Sequence, residues 1–138
     1  MRRLFICLSL LNLGACSLIM PSPDPNQAWV ALVYQDDQTL KANRVDEKPL
    51  EDDRYFQVMP GRHELEVRLK FPVGGQDIGP DHQGYLRTCL LKLSYGDFAA
   101  GERYQLEAGA IGFRPWARLY DEQHNEVARA RESRCGDV

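Results

Sequence analysis

Residues 63–71 read HELEVRLKF, in which Leu65, Val67, Leu69 and Phe71 alternate with Glu64, Glu66, Arg68 and Lys70. Successive side chains of an extended chain point to opposite faces. A period of two with one charged face is therefore the pattern of a half-buried antiparallel strand. The rest of the chain repeats the theme in shorter pieces. Residues 28–33, 40–45 and 54–59 are β-type runs, the last closed by the turn dipeptide Pro60-Gly61. Residues 85–95 put Cys89, Leu91 and Leu93 on one face, and residues 103–108 put Tyr104, Leu106 and Ala108 inward. Gly96 and Gly101 bracket a turn between these two, and residues 113–120 and 126–130 form a last hairpin around DEQHN. Residues 72–84, PVGGQDIGPDHQG, hold four glycines and two prolines and read as a loop. Helical periodicity is absent beyond the first residues. Seven or eight short strands with frequent turns predict an all-β fold, a small antiparallel β-sandwich of about seven strands over residues 28–138.

The chain opens MRRLFICLSLLNLGACSLIM. Arg2 and Arg3 are followed by 12 residues, Leu4 to Ala15, broken only by Ser9 and Asn12. A bilayer core needs roughly 20 helical residues, so this stretch reads as a targeting leader. Cleavage after Ala15 would leave 123 of the 138 residues, enough for one modest core. Leu13-Gly14-Ala15-Cys16 resembles the lipobox of bacterial lipoproteins: an aliphatic residue, two small ones and an obligatory cysteine. The resemblance implies a signal peptide over 1–15 and a diacylglycerol on the Cys16 thiol, with the new amino group acylated as well. One acyl chain gives marginal membrane binding and each buried CH₂ adds about 0.8 kcal/mol, so two or three chains make a lasting anchor. Ser17 is similar to the outer-membrane class of these proteins. The expected location is the cell envelope, at the outer membrane facing the periplasm. In residues 16–27, Pro21, Pro23 and Pro25 alternate with polar residues, an extended semi-rigid tether.

Loss of the leader removes Cys7 and lipidation uses Cys16, leaving Cys89 and Cys135, 46 residues apart. In an oxidising compartment an even pair predicts a disulfide, worth roughly 4 kcal/mol by loop entropy; the alternative is two unpaired thiols. No Cys-x-x-Cys supports a redox role.

The segment FQVMPGRHELEVRLKF resembles the strand-turn-strand of PEGA-type domains in bacterial envelope proteins, and residues 98–104, FAAGERY, are similar to a strand opening in related small lipoproteins. Such domains are commonly non-enzymatic envelope modules.

No catalytic constellation is visible. His63, His82 and His124 have no metal-ligand spacing to one another or to cysteine, so neither a metal nor a cofactor is expected. Residues 35–53 collect Asp36, Asp37, Asp46, Glu47, Glu51, Asp52 and Asp53 against Lys41, Arg44 and Lys48, which reads as solvated turn charge in place of a calcium loop. Adjacent Asp52 and Asp53 would point to opposite faces. Trp29 and Trp116 are possible sugar platforms, although single aromatics in strands usually belong to a core. The formal charge is −3, and −5 without the two leader arginines, which argues against nucleic-acid binding. Arg114, Arg118, Arg129 and Arg131, with Arg134 and interspersed carboxylates, form a candidate contact for peptidoglycan or an envelope protein. The expectation is a non-enzymatic lipid-anchored protein that binds an envelope component. The alternative is an inhibitor or ligand-binding module acting through residues 72–84. Nothing in the sequence addresses oligomeric state.

Overall fold

A computed structural model describes residues 19–74 and 84–138. The leader, Cys16, His82 and residues 75–83 of the expected loop lie outside the described residues. The described residues contain no helix. Their strands are β1 (Ala28–Val33), β2 (Thr39–Val45), β3 (Lys48–Pro49), β4 (Tyr55–Val58), β5 (Gly61–Val73), β6 (Tyr85–Phe98), β7 (Arg103–Ile111), β8 (Arg114–Tyr120), β9 (Glu126–Arg129) and β10 (Arg131–Cys135). They form two five-stranded sheets, ordered β4-β1-β7-β8-β9 and β10-β6-β5-β2-β3.

The period-two strand is the spine of the second sheet. β5 buries Leu65, Val67, Leu69, Phe71 and Val73 and pairs with β6 from Gly61↔Phe98 to Val73↔Tyr85. Cys89, Leu91 and Leu93 of β6 and Leu40 and Ala42 of β2 complete that inner layer. Val30, Phe56, Val58, Tyr104, Leu106, Ala108, Ala117 and Leu119 supply the opposing layer. Each fully buried aliphatic or aromatic side chain contributes about 1.5–3 kcal/mol of transfer free energy, which is the force holding the two sheets face to face. The outer face of the second sheet carries the charges: Glu66, itself buried, accepts a hydrogen bond from Asn43 and lies 3.8 Å from Arg44 and 3.9 Å from Lys92.

Four sequence expectations are corrected. Among the described residues one pairing is parallel: β1 runs beside β7 from Trp29↔Arg103 to Val33↔Glu107, whereas every other described pair is antiparallel. Both strands start at the same place because the turn before β7 is sewn to the residues before β1. The Gly101 amide donates to Gln27 O at 2.9 Å and the Trp29 amide to Glu102 O at 3.1 Å. Gly101 sits at φ +75° against the Pro25 carbonyl, a conformation that favours glycine. Secondly, Gly96 lies inside β6 and brackets no turn; the strand continues because Phe98 is buried against Tyr95 and Tyr104. Thirdly, Pro72 and Val73 belong to β5 and not to the loop. The β2–β5 ladder stops at Thr39↔Lys70, so Pro72 occupies a stretch with a neighbour on one side only, where a missing N–H is tolerated. Fourthly, there are more strands than about seven. The additional ones are the two-residue β3 and the polar β10, RESRC, which has no apolar alternation to betray it.

The expected disulfide joins Cys89 of β6 to Cys135 of β10, which are directly paired in the ladder. The parallel pair gives the sandwich a direction. Its head is the end at which β1 and β7 begin, and its foot the end at which they finish.

Candidate functional site

The outer face of the first sheet is patterned by alternation. Tyr55 and Gln57 of β4, Trp29 and Ala31 of β1, and Arg103 and Gln105 of β7 fall on that face, opposite the buried Phe56, Val58, Val30, Tyr104 and Leu106. The register Tyr55↔Ala31↔Gln105↔Tyr120 sets these side chains in rows across the sheet. Trp29 stacks on Tyr55 with ring centroids 4.2 Å apart and planes 12° from parallel. At the head end of the rows a groove of about 510 Å³ opens between Trp29, Arg103 and Gln105 on one side and Asp121, Glu122 and His124 on the other.

The turn that forms the second wall is built by its own side chains. Asp121 Oδ1 accepts the Gln123 and Asn125 amides at 3.0 and 2.9 Å, the geometry by which aspartate fixes a turn. His124 takes φ +65° at the tip and lies 5.5 Å from the Tyr120 ring. Glu122 reaches back to accept the Arg103 amide at 2.8 Å, clasping the turn to β7. The groove therefore combines a stacked aromatic wall with guanidinium, amide, carboxylate and imidazole groups on a pre-formed frame. Such a surface suits ligands with alternating apolar and hydroxyl or amide patches.

Beneath the groove, Tyr104 locks the turn of residues 99–102. Its hydroxyl donates to Glu102 Oε2 at 3.0 Å and accepts the Ala99 amide at 3.1 Å. Burial above all pushes its hydroxyl up to about 12. Tyr104, Phe98 and Tyr95 meet edge to face at centroid separations of 4.9–5.9 Å.

The other sequence candidates are dispersed. Arg118 and Arg129 are opposite one another on the first sheet, and both neutralise Glu126, at 3.4 and 2.9 Å. The hydrogen bond from Arg129 holds the Glu126 carboxyl below its ordinary range. Arg131 lies on the second sheet, 3.9 Å from Glu64, and Arg114 lies at the foot, so the four arginines do not make one surface. Trp29 is buried, but beside Tyr55 on the outer face of the first sheet and not in the inter-sheet cluster, and Trp116 is half-buried outside that cluster. They are no shared platform, because Trp116 pairs with Gly109, six residues along β7 from the partner of Trp29, or about 20 Å. A Cβ on Gly109 would lie 2.7 Å from the Trp116 ring, so glycine is what lets the indole rest on the strand.

In the acidic span of residues 35–53, Asp46, Asp52 and Asp53 have local partners, while Asp36, Asp37, Glu47 and Glu51 are exposed. Asp52 pairs with Arg54 at 2.7 Å and Asp53 with Lys41 at 3.3 Å. Asp46 accepts the Glu64 amide at 2.9 Å and sits 2.6 Å from His63 Nδ1, whose other ring nitrogen faces Met59 O at 2.7 Å. The Glu64 amide first, and His63 next, lower the Asp46 carboxyl. Cys89, Cys135 and Glu132 lie close together, but the sulfurs are bonded to each other and offer no thiolate to a metal.

The groove was not anticipated from the sequence. Its signal was present in YFQV and RYQLEA, whose alternation turns Tyr55, Arg103 and Gln105 outward. No family model, curated protein or solved structure matches the chain.

Proposed function

We propose that the chain is a non-enzymatic, lipid-anchored protein of the bacterial cell envelope, held by acyl chains on Cys16 at the outer membrane facing the periplasm. Its β-sandwich binds another envelope component, and peptidoglycan is the ligand whose chemistry fits. The observation that carries the binding reading is the groove beside the Trp29–Tyr55 stack, rimmed by Arg103, Gln105, Asp121 and Glu122. Glycan strands present apolar ring faces to aromatics and hydroxyl and amide groups to planar polar side chains, and muropeptide carboxylates suit an arginine fork. The groove acids serve as acceptors for backbone amides that shape the loop, a structural employment that favours binding over acid–base chemistry.

The Leu13-Gly14-Ala15-Cys16 pattern supports the anchor. Mass spectrometry of the native protein tests it: the expected mature chain begins at Cys16 with added acyl mass, and a start elsewhere refutes it. Co-sedimentation with isolated sacculi at low salt tests the groove. Retention is expected for the parent chain, with at least a tenfold loss for Arg103→Ala/Gln105→Ala, both exposed side chains. No retention of the parent would refute peptidoglycan as ligand.

A further inference from the structure

Eight large apolar side chains are well exposed among the described residues, and they are unevenly placed. Met59 belongs to the head, next to where β5 begins. The others gather at the foot. Val33 and Tyr34 follow the end of β1. Tyr85 and Leu86 open β6 opposite Val73 and Pro72. Ile111, 78% exposed, is the last residue of β7.

The proline-rich segment comes to the same end. Met20 lines a pocket with Leu32, Tyr34 and Arg54, where β1 finishes and β4 begins. The chain then runs along β4 toward the head. The Asp24 amide donates to Gln57 Oε1 at 3.0 Å, and Gln27 Nε2 reaches Met59 Sδ at 3.2 Å. At the head it reverses into β1. The described part of the expected tether is therefore laid on the domain. By sequence, two residues, Ser17 and Leu18, lie between Cys16 and Ile19, and three residue steps of chain span at most about 11 Å.

We infer that the foot is a membrane-resting surface: the lipid headgroup layer around the Cys16 anchor is what covers Tyr34, Tyr85, Leu86 and Ile111. The inference rests on the anchor proposed above and adds the orientation of the domain upon it. Tyrosines beside aliphatic tips suit the headgroup level, where one end of the ring is apolar and the other wet. Asp36 and Asp37, exposed in the turn beside Tyr34, stop the foot at that level, since carboxylates resist entry into hydrocarbon. The groove, at the opposite end, then faces away from the membrane.

The test uses the chain from Cys16 onward, which holds all ten described strands and in which Cys16 is the one cysteine outside the disulfide. Its thiol is coupled to a maleimide-headgroup lipid in phosphatidylethanolamine–phosphatidylglycerol vesicles, and hydroxyl-radical footprinting is compared with the uncoupled chain. Oxidation of Tyr34, Tyr85, Leu86 and Ile111 is expected to fall at least threefold on vesicles, with Met59 unchanged as the internal reference. Leu86→Glu/Ile111→Glu is expected to return Tyr34 and Tyr85 to their solution values. Equal labelling of the foot in both states overturns the inference. So does a foot already protected without vesicles in a chain that sediments as a dimer. Because the anchor here is chemical, neither result depends on acylation of native Cys16, and an absent acyl mass would refute the anchor alone.

Discussion

At the head, loops are fastened by polar side chains: Tyr104 holds residues 99–102, Asp46 and His63 hold the β2–β3 turn, and Glu122 clasps the β8–β9 turn to β7. Among the described residues, the non-glycine positions with left-handed backbone, Asp46, Glu47 and His124, are all in these head turns. The foot half of the sandwich is fastened by a covalent bond, Cys89–Cys135, and its tips leave apolar groups in the open. The contrast separates two uses of a loop. A turn constrained by several hydrogen bonds presents side chains in fixed positions, as recognition requires. An apolar tip needs no fixed geometry to meet a fluid surface. The two proposals draw on that contrast: a shaped ligand for the head and a fluid surface for the foot.

Breaking the covalent side first should give the largest effect. Cys89→Ala/Cys135→Ala opens a closure of 46 residues and is expected to cost about 4 kcal/mol in urea unfolding at pH 7. β10 is a polar edge strand held otherwise by its ladder with β6 and the long ion pairs Arg87–Glu132 and Arg131–Glu64, so its amides should lose exchange protection first. A loss under 1 kcal/mol would show that the foot half does not depend on the bond.

At the head, Phe98→Ala removes the centre of the three-ring cluster and is expected to cost about 3–4 kcal/mol by the same measurement. Tyr104→Phe keeps the ring and deletes the hydroxyl, leaving the Ala99 amide without its acceptor, for about 1 kcal/mol at pH 7. The difference shrinks in alkali. Folding raises the Tyr104 hydroxyl to about 12, so the stability linked to it is complete below its ordinary value of 10.0 and is lost as pH climbs from there toward 12. The phenylalanine variant lacks that loss, and the gap between it and the parent should close over the same window.

Much of this contrast can be traced to residues a reader can see. The alternation of HELEVRLKF, and of YQLEA behind it, places the two inner layers, because period two is a local property of the chain. The disulfide followed from counting cysteines. The parallel β1–β7 pair did not, since it depends on two strands 75 residues apart by number starting side by side, which hydrogen bonds from Gly101 and Trp29 decide and no local pattern reports. The groove was half legible: outward Tyr55, Arg103 and Gln105 could be read, but not that the Asp121 turn would fold over them. The arginine cluster looked contiguous only because its members are close in sequence; β8, β9 and β10 distribute them over two sheets.

A smaller effect separates the polar head from the foot in acid. Asp46 has its carboxyl lowered by the Glu64 amide and His63, so it favours the fold above about pH 4, the ordinary aspartate value, and that support is lost as pH falls through the lowered one. The side chain is half exposed, which limits the contribution to less than about 1 kcal/mol. Asp46→Asn should lower the melting temperature by a few degrees at pH 7 and flatten its decline between pH 4 and 2.

The foot should answer least of all. Leu86→Gln and Ile111→Gln exchange side chains that touch mostly solvent, so each should move the unfolding free energy by no more than about 0.5 kcal/mol. That small number decides something. If either substitution costs 2 kcal/mol, the exposed tip is packed against the fold after all, and apolar residues at the foot need no external surface to account for them. If both are neutral, the fold gains nothing from their apolar character, and the proposed membrane-resting surface keeps the exposed side chains it is argued from.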